Sequence, residues 1–432
     1  MNFKTTFSFI AVSFAACAAY AAPDAVLEDA AVSAAVPAAE AKAVADSDYK
    51  ARATELMNAG LDWLKANQSE SGAWSDENYP GLSALGLWAM ARSGREDLAD
   101  ARAKAAKYIA RYVQTDGSIY KPATGGRGSG GLSTYNTAIC MMALHAHDKV
   151  GFQKEILKAR EFVASSQLEG DSPAQGAGGF GYDKPAVGGR PQRADLSNTG
   201  LALMAMRTTQ DVEDLRPAGS KNADVDWNAA LAFVESMQIK APGDPAADGA
   251  FGYEQTGERG GRQQGERKAP QAGAQDGAKA EAAQSEAPAK ADGAKNETAK
   301  PQRESLRTFG SMTYAGLESM IYAQVDLADP RVRSTIAWAG RNWTVAENPG
   351  QGVRGLYYYY VILSKALVLA GDEGLVDEAG AKIDWRGDLV DQLAKSKDAE
   401  GFWSNEDNTF WEGDPALVTA YVVLSLESVL GL

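Results

Sequence analysis

Four stretches of this chain are long enough for a helix and carry almost no polar side chain: LSALGLWAMA from Leu82, TAICMMALHA from Thr137, TGLALMAM from Thr199 and LVTAYVVLSL from Leu417. A helix with no polar face must be covered on every side. Other stretches differ. Leu56, Leu61, Trp63 and Leu64, then Tyr108, Ile109, Tyr112 and Val113, then Val332, Ile336 and Trp343 fall mostly three or four apart, leaving one apolar face and one for water. An inner ring of buried helices wrapped by an outer ring of amphipathic ones satisfies both kinds, and six such pairs close a barrel. The expected class is all-α.

A short pattern recurs between the two kinds of helix, a glycine followed by an aromatic. It reads Gly72-Ala73-Trp74, Gly117-Ser118-Ile119-Tyr120, Gly179-Phe180-Gly181-Tyr182, Gly249-Ala250-Phe251, Gly355-Leu356-Tyr357 and Gly401-Phe402-Trp403. With the glutamines of QSESGAW from Gln68, of QTDG from Gln114 and at Gln167, these turns resemble the QW-type repeats of terpenoid cyclases and protein prenyltransferases. The chain is similar to secreted bacterial prenyltransferase/squalene oxidase repeat proteins over residues 47–254 and 306–432. The resemblance implies an α6/α6 toroid, a double ring of helices, with a cavity at one end of the inner helices.

The ends and one internal segment read differently from the helical part. Lys4 precedes an apolar run from Thr5 to Ala16, and Ala19-Tyr20-Ala21 has the small-x-small pattern cut by a signal peptidase, so residues 1–21 are expected to direct export. Phe14-Ala15-Ala16-Cys17 also resembles a lipobox, in which Cys17 would be acylated. Periplasmic, extracellular and envelope-anchored locations stay open, with no transmembrane helix expected after processing. Residues 22–46 are Ala-rich without aromatic anchors and predict a flexible tether. Residues 255–305, rich in charge and small side chains, predict a disordered insert. A loop of that length between two helices adds little closure entropy to the cost of folding.

Charge and composition limit the chemistry. Lys and Arg total 43 against 57 Asp and Glu, a net charge of -14, which disfavours a nucleic-acid partner. Two His and two Cys in 432 residues leave little for a transition-metal site, and Cys140 and His145 lie five apart on one helix, on different sides of it. No metal and no cofactor is expected. Squalene-hopene-type cyclases use the middle acid of a DxDD motif, which is absent. Its nearest strings, Asp224-Val225-Asp226-Trp227 and Asp384-Trp385-Arg386-Gly387-Asp388, open outer helices, where an Asp caps the N-terminus.

Polar and aromatic residues gather at the starts of the inner helices, which in a toroid face the cavity mouth. Tyr135, Asn136, Asn198, Tyr314, the run Tyr357, Tyr358, Tyr359 and Tyr360, and Trp411 are the candidate ligand-binding residues. Asp195, Glu412 and Asp414 are the candidate acids and bases. Ser133, Asp195, Ser311 and Asp414 also read as N-caps. Capping needs no aromatics, so the convergence of Tyr, Asn and Asp at one level predicts a site. The reading placed first is a toroid that binds an apolar or envelope-derived ligand, or a protein partner, in its central cavity without cyclase or zinc prenyltransferase chemistry. The alternatives are a terpenoid cyclase-like enzyme, a polysaccharide lyase or hydrolase using paired carboxylates, and a scaffold whose residues 255–305 recruit partners.

Overall fold

The computed structural model describes residues 38–122, 131–185, 193–253, 308–371 and 375–432, without the side chains of 38–47. Twelve α-helices follow in order: α1 Ala38–Ala66, α2 Pro80–Arg92, α3 Ala99–Ala110, α4 Ser133–Asp148, α5 Gln153–Ala164, α6 Leu196–Thr208, α7 Trp227–Met237, α8 Gly310–Tyr322, α9 Pro330–Arg341, α10 Leu356–Ala370, α11 Trp385–Ser396 and α12 Pro415–Leu430. Between these helices the described residues form three short 3₁₀ helices, Glu96–Leu98, Pro173–Gln175 and Gln210–Leu215, and isolated β-bridges. From Asp46 onward the described chain makes one compact unit. The expected leader, residues 1–21, lies outside the described residues, as does the whole of the 255–305 segment. Helix α1 begins at Ala38, within the stretch expected to be a tether.

The even-numbered helices close a ring. Helix α2 packs on α4, α4 on α6, α6 on α8, α8 on α10, α10 on α12, and α12 on α2 again. These are the helices without a polar face, and their side chains are buried almost throughout. The odd-numbered helices lie outside: α3 against α2 and α4, α5 against α4 and α6, α7 against α6 and α8, α9 against α8, and α11 against α12. Helix α1 joins them through Gly60, where a Cβ would press on Val423 and Thr419 of α12. Leu56, Leu61, Leu64, Tyr108, Ile109 and Val332 are buried on the inward faces of their helices. Tyr112, Val113 and Trp343 fall just past their helix ends and are half-buried.

One construction recurs in five turns. Gly72, Gly117, Gly178, Gly249 and Gly401 have φ between +85° and +94°, where a side chain is strained. At the first four, a Cβ would also overlap the backbone carbonyl of the next outer helix, at Lys104, Lys158, Ala229 and Ser334. Gly401 faces Ala59 of α1 in the same way at 3.5 Å, which carries the pattern around the closure of the ring. Two residues after each of these glycines, a backbone N–H donates to a hydroxyl at the fourth or fifth residue of the inner helix: Trp74 to Ser83, Ile119 to Thr137, Phe180 to Thr199, Phe251 to Thr313 and Trp403 to Thr419. Gln68 and Gln167 tie the turn to the next outer helix by donating to backbone carbonyls on both sides. Two sequence expectations are corrected here. The left-handed glycine of the third turn is Gly178, not Gly179, and Gly355 is the N-cap of α10 instead of a turn of this kind.

Candidate functional site

The N-termini of the inner helices converge at one end of the ring, and each receives a polar side chain. Asp195 caps α6, accepting the backbone N–H and the side-chain amide of Asn198, both at 2.8 Å. Asp414 caps α12 through the N–H groups of Ala416 and Leu417 and also accepts the Ser75 hydroxyl. The other four inner helices borrow their caps. Asn136 Oδ1 accepts Gly81 N–H at the start of α2, and Asp183 accepts Ser133 N–H at the start of α4. Asn348 accepts Ser311 N–H at the start of α8, and Glu412 accepts Tyr358 N–H at the start of α10. Ser133 and Ser311, expected as caps, are instead first-turn residues whose N–H groups are received by these neighbours. Asp226 and Asp384 cap the outer helices α7 and α11, as their positions predicted.

Glu412 is fully buried. Its carboxylate accepts the N–H of Tyr358 at 2.8 Å and the amide of Asn405 at 2.7 Å. Burial pushes this carboxyl above its ordinary value, and the hydrogen bonds from the start of α10 and from Asn405 pull against that shift. A group held this way is oriented toward a helix end, where the positive end of the dipole and the free N–H groups favour a carboxylate.

The aromatics divide by depth. Of the four consecutive tyrosines only Tyr358 lines the central cavity, with its hydroxyl 3.1 Å from Ser197 Oγ. Tyr359 and Tyr360 are buried and donate to the carbonyls of Thr344 and Val345, while Tyr357 packs edge-on against Tyr360. Tyr314 is also buried, edge-on to Tyr359. The part-exposed set is Tyr79, Tyr135, Tyr182, Tyr253, Tyr358 and Trp411. Tyr135 bonds to Tyr421 and lies 6.2 Å from the Tyr182 ring, whose hydroxyl is 3.2 Å from that of Tyr253. Burial pushes the Tyr135 phenol up to about 12. Trp411 packs against Tyr79 with ring centroids 4.4 Å apart and planes tilted by 58°, and has φ +63°, a conformation that costs a non-glycine residue about 1 kcal/mol or more.

Behind this rim lies a cavity of about 40 Å³ walled by residues of all six inner helices, among them Leu85, Trp88, Ile139, Leu201, Met204 and Tyr421. Pockets that enclose drug-sized ligands start near about 300 Å³. This one takes a few water-sized groups and does not enclose a large molecule. A second cavity, of about 450 Å³, lies at the C-terminal end of α6 between Arg160, Arg207, Asp211 and Asp224. Its arginines are engaged: Arg160 with Glu213 at 2.7 Å, and Arg207 with the Tyr322 carbonyl and the Trp227 ring. It is a polar brace between α5, α6 and α7.

Cys140 is a free, fully buried thiol on α4, raised in pKa by that burial, while His145 faces outward to Asp211 at 2.6 Å. Among the described residues no cluster of three His, Cys, Asp or Glu side chains is placed to hold a metal ion. Nor is any described helix long and apolar enough to cross a membrane.

Trp88 and Tyr421 were not singled out from the sequence, because within an apolar helix an aromatic that lines a cavity looks like one that packs. Tyr79, Tyr182 and Tyr253 lie before inner helices, and only the closed ring brings them together. Glu318, Lys365 and Glu427 had a visible signal, a lone charge in each of the apolar runs of α8, α10 and α12.

No family model and no characterised relative matches the sequence. Among solved structures, the chain is similar to the type II terpene cyclase MstE from Scytonema in its apo form, at 12% identity and a TM-score of 0.49, over 88% of this chain and 99% of that one. A variant of that cyclase in complex with geranylgeranyl dihydroxybenzoate matches at 10% identity and 0.49, over 89% and 99%. A protein from Actinoplanes matches at 10% and 0.46, over 87% and 99%. Identity that low transfers no role to any residue of this chain.

Proposed function

We propose that this chain is an exported toroid that binds an apolar, envelope-derived molecule at the aromatic mouth of its inner ring and does not transform it. The observation that carries this reading is the continuity of the tyrosine rim with the apolar cavity behind it. Tyr135 and Tyr358 belong to both. Rings with hydroxyl tips suit a ligand that is apolar along its length and meets water at its end. The capping of Asp195, Glu412 and Asp414 supports binding over catalysis. An acid working in turnover must exchange protons with substrate, whereas each of these is committed to helix N–H groups. Export rests on the leader-like residues 1–21 and their lipobox-like Cys17.

The test is to incubate the purified chain with a lipid extract of its own cell envelope and analyse bound and free fractions by mass spectrometry. Retention of one molecule at unchanged mass agrees with binding. A product of new mass that forms only with protein present contradicts it.

A further inference from the structure

Past the tyrosine rim, the ring interior holds four charged side chains from four helices: Arg92 of α2, Glu318 of α8, Lys365 of α10 and Glu427 of α12. Arg92 and Glu427 satisfy one another in part, Arg92 Nε donating to Glu427 Oε2 at 3.0 Å. Lys365 is held by soft contacts, its Nζ 3.8 Å from the centre of the Trp88 ring and 3.7 Å from Met204 Sδ. Glu318 is the member that lines the cavity. It is 2% exposed, and its Oε1 has no hydrogen-bond partner among the described residues. A buried polar oxygen without a partner is uncommon enough to need a reason.

We propose that Glu318 recognises the hydroxyl of an apolar alcohol whose head enters the cavity from the tyrosine mouth. This rests on the binding reading given above and names its ligand class. The charges select the head group. An anion would meet the Glu318 carboxyl, and a cation would meet Lys365, whose Nζ lies against the cavity-lining Trp88 and Met204. A neutral donor meets neither penalty and supplies what Oε1 lacks. Burial pushes the Glu318 carboxyl up and the Lys365 ammonium down, each toward its neutral form. The remaining wall, with Leu85, Ile139, Leu201, Val361 and Ile362, offers only apolar surface to the carbons behind the hydroxyl. At about 40 Å³ the cavity fits the head and its first carbons, which leaves the rest of the chain along the rim.

The experiment is calorimetric titration of the full chain with 1-octanol, octylammonium and octanoate, for the wild type, Glu318→Leu and Glu318→Gln, with a thermal melt to confirm that each variant folds. The wild type is expected to prefer octanol to both charged probes by about tenfold or more, a preference that Glu318→Leu abolishes. Glu318→Gln, which keeps an acceptor oxygen, should stay within about threefold of wild type. Equal binding of the three probes, or undiminished octanol binding by Glu318→Leu, overturns head-group recognition and leaves binding at the mouth standing. Failure of the wild type to bind any probe counts against both.

Discussion

The carboxylate of Glu412 accepts the backbone N–H of Tyr358 at 2.8 Å, so the segment leading into α12 caps the start of α10. Two residues later Asp414 caps α12 itself. One short stretch thus fixes the N-termini of two neighbouring inner helices. Between them it sets Tyr358, which lines the cavity, and Trp411, whose ring packs tilted against the rim residue Tyr79.

Glu412→Ala should therefore lower stability by about 2 kcal/mol, because the Tyr358 N–H and the Asn405 amide lose their acceptor in a buried setting. Glu412→Gln should recover part of the loss. Urea denaturation measures both, and a change below about 0.5 kcal/mol for the alanine variant would remove the capping role.

Asp195→Ala and Asp414→Ala should each cost about 1 kcal/mol, the usual effect of losing an N-cap. Helices α6 and α12 are not neighbours in the ring, so the double variant should show the sum. Any ligand bound at the mouth should still bind. Abolished function with unaltered stability would instead mark these residues as reacting groups.

Stability should fall as pH rises from about 5 to about 8. Burial holds the proton on Glu427 up to about 8 and on Glu318 up to about 7, against ordinary values near 4.5 in the unfolded chain. Across that window the folded state binds more protons than the unfolded one. Their contribution is complete below the unfolded value and disappears as pH passes the folded one. Lys365 acts in the opposite sense and higher, its folded value of about 8 lying below the ordinary 10.5, so its contribution is present above 10.5 and lost as pH falls through 8. Melting temperatures across the window should decline for wild type and decline less for Glu427→Gln, in which Glu318 still contributes. A rising curve would contradict the buried placement of the two glutamates.

Gly178→Ala should destabilise by about 2 kcal/mol or more, because φ is +85° and the new Cβ would overlap the Ala229 carbonyl. Gly219→Ala is the control, with the same φ but nothing within 4 Å, and should cost about 1 kcal/mol. Equal losses would show that only backbone conformation matters at the turn.

The ring was legible because Leu82–Ala91, Thr137–Ala146, Thr199–Met206 and Leu417–Leu426 have no face that tolerates water, and only mutual burial suits them. The turns were legible except at Gly355, where a glycine before an aromatic serves a different geometry. The mouth was harder to read. Asn136 and Glu412 look like site residues in sequence because they are polar residues at helix starts, but the helix each one caps lies 54 or 55 residues away. In a run of four tyrosines on a helix the residues point to different sides, and only the packed ring shows that Tyr358 is the one at the cavity.

The central claim is that the tyrosine mouth holds a ligand. Native mass spectrometry, with lipid and glycan extraction, on protein purified from its own envelope fraction tests this most directly when wild type is compared with Tyr135→Ala plus Tyr358→Ala. The account predicts a co-purifying apolar molecule in the wild type that is lost in the double variant. An equal yield of that molecule from both, or none from the wild type, would contradict it.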